Sequence, residues 1–210
     1  MNANDRALVL KEAGVTEAQW KTAVSHVGQA FKALRIAEKT PQNKLEHLED
    51  TPRRIVDVWL EFTKNLGHVP EANTTFQSNC DNLVTCANIR FSSLCSHHFF
   101  PFMGTCHVSY LPDKKIIGVS KLPRIVKFFA KTPQVQENLT DDLADYLFNL
   151  IKPKFILVMM IAKHTCCASR GVESDSSMVT SARRSAPDLG EIDAITREAY
   201  EAVKAQAGQN

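Results

Sequence analysis

An α+β fold is what this chain predicts, with helices gathered at its start and an antiparallel sheet built from its centre. Three observations carry that reading. Apolar residues recur at helical spacing through Phe62, and the pattern changes from Leu83 onward to short β-rich runs. Pro112-Asp113-Lys114 then stands between two of those runs as a hairpin turn signal. In chain order, Trp20, Val24, Val27 and Phe31 make the first stripe, which Leu34 continues, and a break holding Pro, Gln and Asn follows near Thr40. Thr51-Pro52 reads as an N-cap with proline at the first helical position, before an apolar face of Ile55, Val58, Trp59 and Phe62 that ends at Gly67. A polar stretch with Pro70, Asn73 and Thr75 separates an N-terminal helical region, 1–75, from a second region, 76–210. Residues 83–91, 103–111 and 115–119 read as strands. A helix from about Leu122 carries Ile125, Val126 and Phe129 until Thr132-Pro133 interrupts it. The next presents Leu139, Leu143, Tyr146, Leu147 and Leu150. Strand-like runs cover 155–166 and 178–182, and a terminal helix is expected over 188–207 with Asp188 near its start.

Composition excludes several function classes. A hydrophobic fraction of 44% and a charged fraction of 23% are globular values. A net charge of +2 favours neither a nucleic-acid binder nor a membrane-surface protein. The first residues lack a basic region followed by an apolar stretch, and the longest apolar run, 155–162, is too short to span a bilayer. A cytoplasmic, reducing location is therefore expected, where cysteines serve more readily as ligands than as disulfides.

Two short clusters carry the chemistry: Cys95-Ser96-His97-His98 and His164-Thr165-Cys166. Thiolate and imidazole are zinc ligands, and a catalytic zinc site uses three protein ligands with one position left for water. Cys95, His98 and Cys166 make such a set, leaving His97 and His164 beside it as proton carriers. If 164–166 is extended, His164 and Cys166 point to one face. The remaining histidines, His26, His47, His68 and His107, read as surface or internally satisfied polar residues. Cys80, Cys86, Cys106 and Cys167 read as packing residues, with Cys167 turned away from its neighbour on a strand.

The order of these motifs resembles the GTP cyclohydrolase I family over about residues 49–181. The landmarks are Asp50-Thr51-Pro52-Arg53-Arg54, Cys95-Ser96-His97-His98, the run from Gly118 to Val126, the run from Pro133 to Thr140, His164-Thr165-Cys166 and Arg170-Gly171-Val172. The resemblance implies a tunnelling fold, an antiparallel sheet with two helices on one face, after an N-terminal helical region. It implies a homo-oligomer, commonly a decamer, with pockets between subunits, and zinc on Cys95, His98 and Cys166. It implies hydrolysis of GTP: water adds at C8 of guanine, formate leaves, and 7,8-dihydroneopterin triphosphate forms.

Residue chemistry suits that reaction. His97 or His164 can protonate the purine nitrogen, since imidazole titrates in the useful range. Glu137 can accept hydrogen bonds from the guanine N–H edge, with Gln136 as a third contact. Ser120 can relay a proton during the sugar rearrangement, and Lys121, Arg124 and Arg170 can hold a triphosphate. Two positions depart from the family. Ser96 replaces a glutamate that plausibly pairs with the arginine matching Arg54, and Asp57 stands where some bacterial members carry lysine. Two other readings compete: an NADPH-dependent nitrile reductase of the same fold, and a non-catalytic module stapled by zinc.

Overall fold

The computed structural model describes residues 3–71 and 74–207, so Asn73 of the expected boundary lies outside the described residues. The chain divides into two compact units, Met1–Gly67 and His68–Asn210.

The first unit is helical: α1 (Ala3–Glu12), α2 (Glu17–Ala33), the short α3 (Ile36–Lys39), a 3₁₀ turn (Gln42–His47) and α4 (Thr51–Thr63). Thr16 and Gln19 form a reciprocal capping box at the start of α2. Its stripe stops one residue short of the expectation, because Leu34 is the C-cap and is 64% exposed. Periodicity gave no sign of α1, whose buried residues Val9 and Leu10 are adjacent rather than spaced by a turn. They join Trp20, Val56 and Leu60 in one apolar cluster. In α4 the N-cap is Asp50, not Thr51; the Thr51 hydroxyl donates back to His47 O at 3.2 Å. Its buried face is also not the expected one. Val56, Asp57 and Leu60 point inward, while Val58 and Trp59 are exposed.

Asp57 explains that orientation. It is only 6% exposed; its Oδ1 accepts the Trp20 Nε1–H at 3.0 Å, and its Oδ2 accepts from Arg53 at 3.0 Å. Oδ1 therefore pins α2 to α4, and Oδ2 is taken by Arg53 one turn back on α4 itself, which removes Asp57 from any role facing solvent or phosphate.

The second unit is built on a four-stranded antiparallel sheet of β2 (Val84–Leu94), β3 (Pro101–Leu111), β5 (Phe155–His164) and β6 (Ser177–Ser185), in the order β2-β3-β5-β6. The turn after Leu111 does not make the expected hairpin. β4 (Lys115–Ile117) pairs instead with β1 (Thr75–Gln77) in a separate ribbon. Even-numbered residues of β5, from Ile156 to Ala162, share the main core with α5 (Lys121–Ala130) and α6 (Gln136–Ile151). Phe155 and Leu157 face the other way, against Ala199 of α8 (Ile192–Ala207). The two expected helices thus cover one face and α8 the other. α8 starts four residues after Asp188, and Asp193 is the acid in its first turn. Residues 165–168 form a one-turn helix, α7 (Thr165–Ala168), rather than continuing β5. The architecture is that of an α+β tunnelling fold.

Close packing of β3 against β5 sets residue size. A Cβ at Gly104 would stand 1.9 Å from Ile161 O. Beside it, His107 is buried yet satisfied: Nδ1 accepts from Asn88 N at 3.3 Å and Nε2 lies 3.2 Å from Thr105 Oγ1. Asn88 takes a left-handed φ of 59° at a register shift in β2, which aims its N–H at the imidazole.

Two outcomes are expected from these polar anchors. Asp57→Lys places a cation against Arg53 and orphans the Trp20 N–H, so it should destabilise the helical unit by on the order of 3–5 kcal/mol. Urea unfolding followed by tryptophan fluorescence measures this, and an unchanged midpoint would show that the anchor carries no stability. Burial pushes the His107 imidazole below its ordinary value. Its stabilising contribution is therefore complete above the ordinary histidine pKa of about 6.5 and is lost as pH falls from there toward the depressed folded value. Between about pH 7.5 and pH 5, wild type should lose more stability than His107→Gln.

Candidate active site

β3 is the reference for the site because it lies between β2 and β5. Leu94 of β2 pairs with Pro101, and His164 at the end of β5 pairs with Phe102. The ends of β2 and β5 stand two strand spacings apart, about 10 Å. Two local devices narrow that gap. After β2 the chain folds back through residues 95–100, with Cys95 N donating to Phe100 O at 2.9 Å and Phe99 N to Cys95 O at 2.9 Å. Phe99 adopts a left-handed φ of 53° to complete the loop. After β5 the chain turns into α7, held to β3 by the Thr165 hydroxyl donating to Pro101 O at 2.6 Å.

The donor atoms of Cys95, His98 and Cys166 consequently lie within 4.8 Å of one another. Cys95 and Cys166 are buried, whereas His98 is exposed. Cys166 reaches this position from a helical turn, not from the extended segment expected for 164–166. The helical turn also places Cys167 differently from the expectation: its side chain is exposed, with Sγ 3.9 Å from Cys166 Sγ. Burial, followed by the proximity of Cys95, pushes the Cys166 thiol up to about 11. Desolvated and crowded by a second sulfur, the Cys166 thiol ionises poorly by itself. A cation between the two sulfurs reverses that balance, because thiolates are the ligand form. The N/S donor set and its spacing thus fit a zinc-type ion.

The two further imidazoles adjoin this group. His97 Nδ1 is 3.8 Å from Cys95 Sγ. The His164 ring stacks on Phe102, with centroids 4.7 Å apart and planes 1° from parallel. Burial lowers its pKa, while the nearby Glu137 carboxylate pulls in the opposite direction. Glu137 itself is exposed in the first turn of α6.

Gln136 behaves differently from the expected base contact. It is fully buried, and its amide nitrogen donates toward Met160 O, Met178 O and Thr180 Oγ1 at 3.1–3.2 Å. Its Oε1 lies 2.9 Å from His164 Nε2. The side chain therefore serves the protein interior. Phe102 and Gln134 are contributors that sequence reasoning missed. Gln134 N donates to Leu94 O at 2.9 Å and Ser96 N to Gln134 O at 3.1 Å, stitching the cysteine loop to the lead-in of α6. Only strand register could have exposed Phe102, whereas Gln134 sits inside the 133–140 motif run without its bonding role being legible there.

Ser120 is the exposed N-cap of α5, without a side-chain capping bond. Lys121 and Arg124 follow on that helix, and Arg170 lies in the turn after α7. The side chains of these three cations make no hydrogen bond or ion pair among the described residues. Arg54, expected to lack an anion, lies 3.8 Å from Asp50. Ser96 contributes its backbone to the stitch, and its side chain is exposed.

Comparison with known proteins identifies the family. The model of the GTP cyclohydrolase I family matches residues 27–197. A GTP cyclohydrolase 1 of Wolinella succinogenes is 42% identical over 159 residues, covering 74% of this chain and 83% of that protein. One of Coxiella burnetii is 43% identical over 162 residues, 76% and 85% respectively. The Saccharomyces cerevisiae protein of the same name is 38% identical over 171 residues, 79% and 70%. The solved apo structure of the archaeosine synthase QueF-Like covers 50% of this chain and 96% of its own, at 16% identity and a TM-score of 0.40, a likeness too low to bear on function. With a family match spanning most of its length and relatives at 38–43% identity, this chain belongs to the GTP cyclohydrolase I family.

Proposed function

We propose that the protein is a GTP cyclohydrolase I, a hydrolase that converts GTP and water to 7,8-dihydroneopterin triphosphate and formate. The observation that carries this reading is the Cys95–His98–Cys166 donor group, within 4.8 Å, with two further imidazoles and an exposed carboxylate beside it. Cys95, His98 and Cys166 would hold a zinc ion, which would supply a water with its pKa lowered to about 7. The chain's own residues do the rest. Glu137 accepts from N1–H and the exocyclic amine of guanine, orienting C8 toward the donor group and selecting against adenine. His97 and His164 carry protons to and from the purine as the ring opens. Ser120, with no capping bond to hold its hydroxyl, relays a proton in the sugar rearrangement. Lys121, Arg124 and Arg170, unpaired among the described residues, hold the triphosphate, and binding there positions the distant base.

Two features support assembly into a homo-oligomer, of decamer type, with pockets between subunits. The outer strands β2 and β6 leave long edges of 11 and 9 residues, and such edges are normally paired or covered. His98, Glu137, Arg124 and Arg170 are exposed in the single chain, as expected for a site that a neighbouring subunit completes. No helix among the described residues is long and apolar enough to cross a membrane. Six free cysteines suit a reducing cytoplasm.

Two experiments test the proposal. Atomic emission should find zinc in the purified wild type and in His97→Ala, but little in Cys166→Ala or His98→Ala. Full zinc in both ligand variants would displace the site. Formate release should be seen with GTP and much less with guanosine. Glu137→Gln, which loses a charged acceptor, should lower kcat/KM for GTP by on the order of 10–100-fold. Normal turnover by that variant would remove Glu137 from the base.

A further inference from the structure

We infer that Gln136 is a positioning residue: it holds the His164 ring as the Nε2–H tautomer, which leaves the lone pair on Nδ1. This deepens the reading of His164 as a proton carrier and rests on it for its catalytic meaning.

The argument begins with the amide's orientation. The two oxygens facing Gln136 Nε2 from Met160 and Met178 are backbone carbonyls, which only accept. Rotating the amide by half a turn would set oxygen against oxygen at both. The third neighbour agrees. Thr140 donates its only hydroxyl hydrogen to Gln136 O at 2.8 Å. The 2.6 Å contact between Thr140 and Thr180 is therefore donated by Thr180, which leaves the Thr180 oxygen as an acceptor for the amide. Nitrogen is thus assigned to the inner end of the amide and Oε1 to the end facing His164.

The imidazole follows from that assignment. Oε1 has no hydrogen to give, so the 2.9 Å contact requires Nε2 of His164 to donate. A neutral imidazole has one N–H, and Nδ1 is left with its lone pair. Nδ1 has no partner among the described residues, and stacking on Phe102 keeps the ring in one plane. A hydrogen bond to one ring nitrogen commonly sets the role of the other. Here the setting group is the residue immediately before Glu137. One turn of α6 therefore presents the carboxylate for the base and fixes the tautomer of the proton carrier.

Histidine labelled with ¹⁵N, in the metal-loaded full-length protein at about pH 8.5, reads the tautomer directly. The His164 ring signals are those missing from His164→Asn. A protonated Nε2 with a bare Nδ1 is expected, and a protonated Nδ1 would overturn the assignment. Kinetics supply a second arm. Gln136→Met should lower kcat for GTP by on the order of tenfold or more with KM little changed, and should cost nothing further in a His164→Asn background. A raised KM at unchanged kcat, or a loss that adds to that of His164→Asn, would also overturn it. If wild type released no formate from GTP, the functional reading would fail, while the labelled protein would still report the tautomer. That spectrum needs only wild type and His164→Asn, so instability of Gln136→Met would not remove the test.

Discussion

A primary amide buried away from water must find all of its hydrogen bonds inside the protein, because each one left unmade costs on the order of 1–3 kcal/mol. Gln136 meets that demand with groups from four places. These are the Met160 carbonyl in β5, the Met178 carbonyl and Thr180 hydroxyl in β6, and the His164 ring at the end of β5. Its own carbonyl receives Thr140 one turn along α6. Satisfying one side chain therefore locks the start of α6 onto two strands and onto a site imidazole. Glu137, its neighbour in that turn, inherits its position.

The opposite side of the site is tied to the same segment by backbone alone. Gln134 exchanges bonds with Leu94 and Ser96 around Cys95, and its side-chain amide donates to Phe129 O and Thr132 O. The cysteine loop and Glu137 are consequently held by one short stretch, 129–137. That stretch is spanned by α5's last turn and the Thr132-Pro133 break. The break matters mechanically. Proline ends the helix, and the residues after it run extended beside Cys95 before α6 begins. Reactive groups built on such anchored segments keep their geometry without needing the substrate to impose it.

The helical unit uses the same physics for a different end. Asp57 is a buried carboxylate whose two oxygens are taken by Trp20 and Arg53. An acidic position that lies within the family match is here an internal anchor. Charge at that place in the sequence says nothing about substrate, because its surroundings absorb it. Its burial also rotates α4 so that Val58 and Trp59 face outward. One polar contact thus overrides the apolar periodicity that would have predicted the other face.

Much of this protein is written locally. Strand and helix periods placed β2, β3, β5, β6, α2, α5 and α6 to within a few residues, since each buries one face and repeats at its own spacing. The paired clusters at residues 95–98 and 164–166 named the donor set by chemistry and motif order alone. Other features depend on which segments become neighbours, and the chain does not state that locally. The pairing of β4 with β1 and the helical turn that delivers Cys166 belong to this group, as do the stacking of His164 on Phe102 and the capture of Asp57 by Trp20. Gln136 divides the two most clearly. Its place beside Glu137 in the motif was legible in sequence. The direction in which its amide points was decided only when β5 and β6 brought two backbone carbonyls and a histidine to opposite ends of it.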